Sequence, residues 1–362
     1  MSFKRWTVCL ITLVVCGVLF MALLQYIIDP LQYFRIASFY RPTIDNNYSR
    51  EFNAAFLKNV DYETIVTGSS LMGNCTVQTI NTVLNTRSLN VIIPEATTHE
   101  IGLTLARAAR IGKLKYCIIG LDLHTLSEDA LKTRVEKFPY FLYDDNVLND
   151  YKYLFDFDFF RKSLAHIIIN NIIDHGECYL CNIETAYNWI NMNKYVANKY
   201  VADEQKNLKN WRRSRIITGL KTRKRISDEF YLKGKENFNY NIYPVIKSNP
   251  QIQFICMQVP YSILFWINQN NEGRSDGMIN LKIYIYNKLR KCGNVRLYDF
   301  QSEEAIINNL NNYYDMLHFT EKINDMMIHA VASDRYLVND DTYRNYQIKF
   351  NRLIEIAKLK YK

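Results

Sequence analysis

Several features that would quickly reveal the class of a protein are missing from this chain. Residues 6–24 form an uncharged apolar run, and no second run is long enough to cross a bilayer, so we expect at most one membrane span. The six histidines show no metal-ligand spacing, and the Cys178-x-x-Cys181 pair has no second pair with which to complete a zinc site. We therefore expect neither a metal nor a cofactor, and we interpret the cysteine pair as a local disulfide or two free thiols.

The chain also lacks an internal repeat, a low-complexity tract and any nucleic-acid-binding motif. Its 362 residues are 48% hydrophobic and 14% aromatic, which is enough to build a core and excludes a disordered protein. Beyond the apolar run about 330 residues remain, room for one large α/β domain or two small ones. We interpret the net charge of +9 as serving solubility, anionic lipid head groups or an anionic glycan, and we expect no nucleic-acid partner.

The N-terminus predicts an uncleaved membrane anchor over residues 1–28. Roughly 20 apolar residues cross a hydrocarbon core as a helix, and the run at 6–24 is close to that length. A cleaved signal peptide would have a shorter apolar region followed by a small-x-small site, which is not present here. Lys4 and Arg5 precede the run and Asp29 follows it, so the positive-inside rule places everything after Asp29 outside the cytoplasm. A juxtamembrane segment is expected over 29–60.

Short apolar runs alternate with helical patterns along much of the remaining chain. Strands separated by helices predict an α/β fold in which a mostly parallel sheet carries helices on both faces. In such sheets functional residues gather at the carboxyl ends of the strands, where Ser70, Asp122 and Pro260 fall. The predicted strands are 64–67, 89–93, 116–121, 253–258 and 294–299, and the predicted helices are 99–111, 281–289, 302–310 and 319–332.

Two further segments interrupt or follow this pattern. The sheet pattern lapses over about 126–245, which we interpret as a long helical insert. Its basic run at 206–225 is either a solvated helix face or a docking surface for a phosphate-bearing lipid or polymer. Residues 336–362 predict a C-terminal helix that caps the domain or contacts a partner, with apolar positions at Ile348, Leu353, Ile356 and Leu359.

A serine near the start and an acid–histidine pair near the end suggest chemistry. Ser70 closes the sequence Thr-Gly-Ser-Ser directly after a predicted strand, and Asp315 precedes His318 by three residues. Serine, aspartate and histidine in this chain order form one of the arrangements that serve nucleophilic acyl transfer. Each motif alone is weak, because most Gly-Ser-Ser triplets are simple turns. Ser69 is the alternative nucleophile if the turn is displaced by one residue.

These motifs resemble the conserved blocks of the SGNH (GDSL-type) hydrolase superfamily. The strand followed by Gly68-Ser69-Ser70 resembles the first block, with Ser69 in place of its aspartate, and Asp315-x-x-His318 resembles the last. Residues 89–97 and 119–122 resemble the second and third blocks. Residues 258–262 and 297–300 resemble segments of the membrane-anchored branch, which includes alginate-acetylation proteins and the D-alanylation protein of teichoic acid synthesis. The resemblance implies a flavodoxin-like three-layer domain over 61–335.

The resemblance also implies roles for individual residues. Ser70 would be the nucleophile, His318 the base that takes and returns its proton, and Asp315 the group that orients the imidazole. The Ser70 backbone N–H would supply one donor of the oxyanion hole.

The second and third blocks of this chain depart from the family pattern. The nearest residues to the usual oxyanion glycine are Glu95 and Ala96, and the usual asparagine is Asp122, an acceptor that would repel an oxyanion. Asp122 would instead bind substrate hydroxyls or hold the turn, and Asn74 is a substitute donor. His99 and His124 follow strands and are candidates for substrate contact.

The sequence therefore predicts a single-pass protein of the inner or plasma membrane with an extracytoplasmic SGNH-like domain. The expected activity is an O-acyltransferase or esterase that acts on a cell-surface polysaccharide or teichoic-type polymer through a Ser70 acyl-enzyme. By resemblance, a multipass membrane acyltransferase is the expected partner and supplies the acyl donor. The alternative is a catalytically weak glycan-binding or assembly protein of the same fold, which Glu95 and Asp122 favour and the Ser70, Asp315 and His318 set opposes.

Overall fold

A five-stranded parallel sheet lies at the centre of the larger of two compact units. The computed structural model describes residues 2–173, 201–213 and 220–361, so Cys178, Cys181 and part of the basic run lie outside the described residues. In spatial order the strands are β2, β1, β3, β4 and β5. They span Ser88–Asn90 (β2), Thr64–Thr67 (β1), Tyr116–Leu121 (β3), Gln253–Gln258 (β4) and Val295–Asp299 (β5).

The strand register aligns the apolar runs that the sequence predicted. Ile65 of β1 pairs with Leu89 of β2 on one side and Cys117 of β3 on the other, and Phe254 of β4 pairs with Cys117. These side chains are almost completely buried, as expected for strands covered on both faces. All the predicted strands are present, but β2 ends at Asn90 rather than at residue 93.

Helices cover both faces of this sheet, which makes the unit a three-layer α/β structure. The chain moves outward from β1 to β2 and then back across β1 to β3, and right-handed crossovers place the two connecting helices on opposite faces. Among the described residues, the helices of this unit are Val77–Leu84, Thr98–Ile111, Leu123–Leu126, Glu204–Arg213, Leu220–Asn237, Tyr243–Ser248, Ile263–Glu272, Ser275–Leu289, Glu304–Ile307, Glu321–Ala332, Asp340–Arg344 and Tyr346–Lys360. The predicted helix at 302–310 is thus reduced to a single turn.

The smaller unit contains the N-terminal helix Phe3–Ile28, which is long and apolar enough to cross a membrane. Its other helices are Ser49–Asn59, Tyr151–Leu154 and Phe157–Ile168. Asp29 caps the long helix in the left-handed conformation, and its carboxylate accepts from the backbone N–H groups of the next turn, at Tyr33, Phe34 and Arg35.

The predicted domain boundaries differ from the compact units. From the sequence, 29–60 was expected to be a juxtamembrane segment and about 126–245 one insert, whereas the structure joins Met1–Val60 with Lys137–Ala186. The first part of the insert is aromatic and buries rings against the 29–60 segment. Tyr143, for example, is almost fully buried, and its hydroxyl donates to the Arg50 carbonyl at 2.6 Å. The later part packs on the sheet unit through the helix Leu220–Asn237.

The C-terminal segment belongs to the sheet unit and forms two helices rather than a separate element. The predicted helix is present, and of its four apolar positions Leu353 is buried, whereas Ile348, Ile356 and Leu359 are exposed. The helix is instead oriented by Tyr346 and Phe350, which are buried; the ring of Phe350 lies 4.4 Å from that of Trp266. Large aromatic rings bury more apolar area than Ile or Leu, and they decide which face packs inward.

A buried ion pair ties the carboxyl ends of β4 and β5 to this C-terminal helix. The Lys282 ammonium is fully buried and uses all its donors on side-chain oxygens, at 2.6, 2.7 and 2.9 Å on Gln258, Asp299 and Gln301. Its Nζ also lies 4.8 Å from the centre of the Tyr346 ring. Burial lowers the pKa of Lys282 to about 8, although Asp299 acts in the opposite direction. Because the pKa of an exposed lysine is 10.5, the folded chain gains stability from this group as pH rises between these values.

Lys282→Met is expected to lower the free energy of unfolding at neutral pH by about 3–5 kcal/mol, because it leaves the Asp299 carboxylate buried without its cation. Lys282→Met with Asp299→Asn removes both charges and should recover part of this loss. Denaturant titration of the detergent-purified full-length chain, followed by tryptophan fluorescence, measures both variants. Lys115→Met, which breaks an exposed ion pair with Glu63, is the matched control and should change stability by less than about 1 kcal/mol. A loss for Lys282→Met no larger than that of the control would contradict the assignment.

Candidate functional site

The turn after β1 presents Ser70 at the carboxyl edge of the sheet. Gly68 adopts φ +147°, and a Cβ at this position would lie 2.9 Å from the Met72 Cγ, so the bend requires glycine. Ser69 caps the 3-10 turn Ser70–Met72 through its side chain. The Gly-Ser-Ser sequence therefore buries Ser69 and leaves Ser70 partly exposed at the first position of the turn.

A continuous hydrogen-bonded chain joins Ser70 to Asp315 through His318. The Ser70 Oγ lies 2.9 Å from the His318 Nε2, and the His318 Nδ1 lies 2.7 Å from the Asp315 Oδ2. An ionised carboxylate only accepts, so Nδ1 carries the proton and Nε2 is left to accept from the serine hydroxyl. The structure thus brings together the three residues that the sequence separates by almost 250 positions, and it leaves Ser69 out of this chain.

The Asp315 carboxylate is held in its ionised form. Its Oδ1 accepts from the backbone N–H groups of Leu317 at 2.7 Å and His318 at 2.8 Å. Partial desolvation raises the pKa of Asp315, but the hydrogen bonds and the imidazole together outweigh it, and the net pKa lies below the usual value. The carboxylate therefore stays charged well into the acid range, and the stability that it contributes at neutral pH is lost only as pH falls through this lowered pKa.

The loop that carries Asp315 and His318 is fixed on both sides. Within the loop the Tyr314 N–H donates to the His318 carbonyl at 2.8 Å. From the turn after β4, the Ser262 N–H and Oγ both donate to the Met316 carbonyl, at 3.1 and 2.8 Å. The acid and the imidazole are thus positioned by backbone contacts as well as by their own side chains.

Asn324 connects the histidine segment to the nucleophile turn. Its buried amide donates to the Leu71 carbonyl and to the Cys75 Sγ, both at 3.2 Å. The sequence analysis missed this residue, since an asparagine inside a helix shows no local sign of a distant partner. Its position six residues after His318 on the amphipathic helix Glu321–Ala332 was the only available signal.

Asp122 lies at the end of β3 and accepts hydrogen bonds from three directions. Its Oδ1 accepts from the Tyr261 hydroxyl at 2.5 Å and from the His124 N–H at 2.9 Å, and its Oδ2 lies 3.4 Å from the Ser69 Oγ. The carboxylate therefore holds the turn, which is one of the two roles predicted for it. It also raises the pKa of the Tyr261 hydroxyl, together with the larger effect of burial.

The other predicted oxyanion donors are less favourably placed. The Ala96 N–H donates to the Ile93 carbonyl at 3.0 Å and is fully buried, so Ala96 does not offer a free donor. Glu95 adopts φ +57°, the left-handed conformation that glycine usually supplies. Asn74 is buried four residues after Ser70 and stays a predicted donor.

The structure places the two candidate histidines in different environments, one buried and one exposed. His99 is buried, and its Nδ1 lies 2.8 Å from the Asn241 Oδ1, so it serves the packing of the helix Thr98–Ile111. His124 is exposed and lines an open groove that also reaches Asp315. Of the pair, His124 is the one able to contact a ligand beside the candidate triad.

The fold and the site define an α/β protein with a Ser–His–Asp hydrogen-bonded chain at the carboxyl edge of a parallel sheet. In the described part of the chain no group of three or more His, Cys, Asp or Glu side chains could hold a metal ion. A scan against protein-family models and a search of the curated proteins found no match to this chain. The resemblance to the SGNH hydrolases therefore stays a prediction that rests on motifs.

Asp315→Asn is expected to reduce the rate at which Ser70 reacts with an activated ester by about 10³- to 10⁴-fold, because an amide no longer stabilises the Nδ1 proton or the imidazolium. Stopped-flow release of p-nitrophenol from p-nitrophenyl acetate, with the full-length chain in detergent, measures this rate. Asp325→Asn is the matched control, since Asp325 lies near the same turn but bonds only to Thr79 among the contacts described. Equal rates for Asp315→Asn and the control would contradict the proposed role of Asp315.

Proposed function

We propose that this chain is a membrane-anchored SGNH-type acyltransferase or esterase whose catalytic unit lies outside the cytoplasm. The observation that carries the proposal is the aligned Ser70 Oγ, His318 Nε2 and Asp315 Oδ2 chain, at 2.9 and 2.7 Å. Hydrogen-bonded serine, imidazole and carboxylate groups are the recurring signature of an activated serine nucleophile. The apolar helix Phe3–Ile28 and the basic residues before it support the anchored, extracytoplasmic placement.

In the proposed reaction the Ser70 oxygen attacks the carbonyl carbon of an acyl donor while His318 Nε2 takes the hydroxyl proton. The bond to the leaving oxygen breaks, and His318 returns the proton to that oxygen. The resulting Ser70 ester then passes its acyl group to a hydroxyl of a surface glycan or polyol polymer, or to water. The donor would come from a multipass membrane acyltransferase.

Negative charge develops on the carbonyl oxygen during both steps, and the Ser70 backbone N–H is the proposed donor for it. Asp122 cannot donate while ionised, and the Ala96 N–H is already used. The proposed enzyme would therefore be a slow hydrolase by itself. Slow reaction with water would favour transfer, because an acyl-enzyme must survive until its acceptor arrives.

Glu95 and Asp122 favour a second candidate, a glycan-binding or assembly protein that retains the fold but not efficient catalysis. Asp122 carries acceptors suited to sugar hydroxyls, although the Tyr261 hydroxyl and the His124 N–H already occupy one of its oxygens. Reactivity of Ser70 distinguishes the acyltransferase or esterase from the glycan-binding or assembly protein.

Wild-type chain treated with a fluorophosphonate is expected to carry one adduct on Ser70, because His318 activates this oxygen and not that of Ser69. Mass spectrometry of the purified full-length protein locates the adduct. Ser70→Ala should abolish labelling and His318→Ala should reduce its rate by at least about 10³-fold, whereas Ser69→Ala should retain it. An adduct that persists in Ser70→Ala would exclude Ser70 as the nucleophile, and an unreactive wild type would favour the binding protein.

A further inference from the structure

An open groove begins directly beside the candidate triad. It has a volume of about 370 Å³ and runs between the loop Asp315–Leu317 and the helix Ile263–Glu272. A second groove of about 280 Å³ shares His124 and Arg274 with the first and continues towards the helix Leu220–Asn237. The two together provide an extended track that leads away from the loop carrying Asp315.

Gln269 is a polar side chain in this groove whose amide oxygen is left without a partner. It is 5% exposed, and its Oε1 has no hydrogen-bond partner in the described part of the chain. The neighbouring Asn268, by contrast, accepts from the Trp211 Nε1 at 2.8 Å. A buried amide oxygen that lacks a partner costs free energy unless a ligand or water supplies a donor. The Oε1 is itself buried, so a hydroxyl-bearing ligand would reach it only after the amide turns towards the groove.

The charges along the track are already paired. Arg274 contacts Glu272 at 2.5 Å in the first groove, and Lys233 contacts Glu229 at 2.8 Å in the second. Recognition of a phosphate needs cations that are free to face it, usually several together. In spite of the net charge of +9, the described lining residues offer no surplus of positive charge to an anionic chain.

We propose that this groove is the acceptor subsite and that it takes an uncharged saccharide or polyol rather than a phosphate-bearing polymer. This inference rests on the proposed function and narrows its acceptor. The Gln269 amide binds one acceptor hydroxyl, and the exposed His124 ring binds another at the junction of the grooves. A neighbouring hydroxyl then attacks the Ser70 ester, His318 takes its proton, and the bond between the carbonyl carbon and the Ser70 oxygen breaks. His318 gives that proton to the released serine.

Two measurements on the full-length chain in detergent test the subsite. The first is binding of neutral oligosaccharides, drawn from a panel of glucose, xylose and N-acetylglucosamine oligomers, to the unacylated protein by calorimetry. The second is transfer of acetyl from p-nitrophenyl acetate to the same oligosaccharides, followed by mass spectrometry. Poly(glycerol phosphate) of matched length serves as the anionic competitor in both.

Gln269→Leu is expected to weaken oligosaccharide binding and raise the acceptor KM by about 10-fold, the equivalent of one lost hydrogen bond, while acylation of Ser70 is unchanged. Gln347→Leu, at a half-buried glutamine that contacts Asp276, is the matched control and should alter neither quantity. Failure of wild type to bind any panel member, equal binding by Gln269→Leu, or tighter binding of the phosphate polymer would overturn the subsite. Loss of Ser70 acylation alone would overturn the proposed function. The binding result would then decide whether the groove is a saccharide site.

In the smaller unit an apolar patch lies beside the end of the long N-terminal helix. Its members are strongly exposed: Val147 73%, Leu148 81%, Tyr151 55% and Phe155 42%. Soluble surfaces seldom leave such large side chains grouped together without a partner.

Tyr153 fixes this patch to the last turn of the helix. Its carbonyl accepts from the Gln25 Nε2 at 2.6 Å, and its hydroxyl donates to the Asp29 Oδ1 at 3.1 Å. The hydroxyl also accepts from the Leu31 N–H at 3.1 Å. Residues 147–155 therefore lie where a spanning helix would leave the hydrocarbon core.

We infer that residues 147–155 insert into the head-group layer of the same bilayer that the helix Phe3–Ile28 spans. Tyrosine is suited to this layer because its ring is buried while its hydroxyl stays hydrated, and phenylalanine and leucine supply the apolar face of segments that lie there. The occupant of the patch is thus lipid, and the patch would hold the smaller unit against the membrane surface.

Photolysis of the full-length chain in nanodiscs that contain a diazirine-bearing phosphatidylcholine tests this contact, with lipid adducts mapped on peptides. Adducts are expected on the peptide that contains 147–155 and, as an internal reference, on the 3–28 helix. Leu148→Glu with Tyr151→Glu should remove the first adducts and keep the second, while Leu232→Glu, at an exposed leucine of the other unit, should change neither. Lipid on the helix but none on 147–155, or none on either, would refute the inference.

Discussion

Parallel pairing of β1 with β2 on one side and β3 on the other is the constraint on which the candidate site depends. Parallel strands end at the same edge, so the turns that follow β1, β3 and β4 meet there, although they lie far apart in the chain. This edge collects Ser70, Asp122 and Tyr261, and the loop that holds His318 is then attached to it by Ser262 and Asn324. A slip of one residue in β1 would exchange the side chains that face the two helical layers and would move the serine away from the imidazole.

The site combines a hydrogen-bonded serine–histidine–aspartate chain with a second carboxylate nearby, so that it is rich in hydrogen-bond acceptors. Asp315 is an acceptor at both oxygens, and it thereby sets the tautomer of His318 and leaves Nε2 for the Ser70 hydroxyl. Asp122 is a second carboxylate at the neighbouring strand end, and its contacts with the Tyr261 hydroxyl and the His124 N–H hold the turn in place. If the proposed acyl-enzyme forms, this balance would favour transfer over hydrolysis, since fast hydrolysis needs a fuller set of oxyanion donors.

The two compact units differ in what they contain. The sheet unit contains the candidate triad, the grooves and the buried Lys282–Asp299 pair, in which a desolvated charge is retained by three oxygen acceptors. The smaller unit is organised by Asp29 and Tyr153 around the end of a helix that is nearly all exposed apolar side chains. The candidate triad and the apolar helix thus belong to different compact units of the chain.

Local pattern was sufficient for the strands, the long apolar helix and the Ser70, Asp315 and His318 candidates, because alternation, run length and short motifs are carried by neighbouring residues. It was insufficient for the domain boundaries, for the buried face of the C-terminal helix and for Ala96, whose N–H is used within its own turn. Asn324 had no signal beyond its position on the helix after His318, and Lys282 had none, since their importance lies in partners from distant segments. The sequence by itself determined an α/β chain with one apolar helix and a set of reactive residue types. Only the tertiary structure decided which of them meet, because hydrogen bonds and burial act through space rather than along the chain.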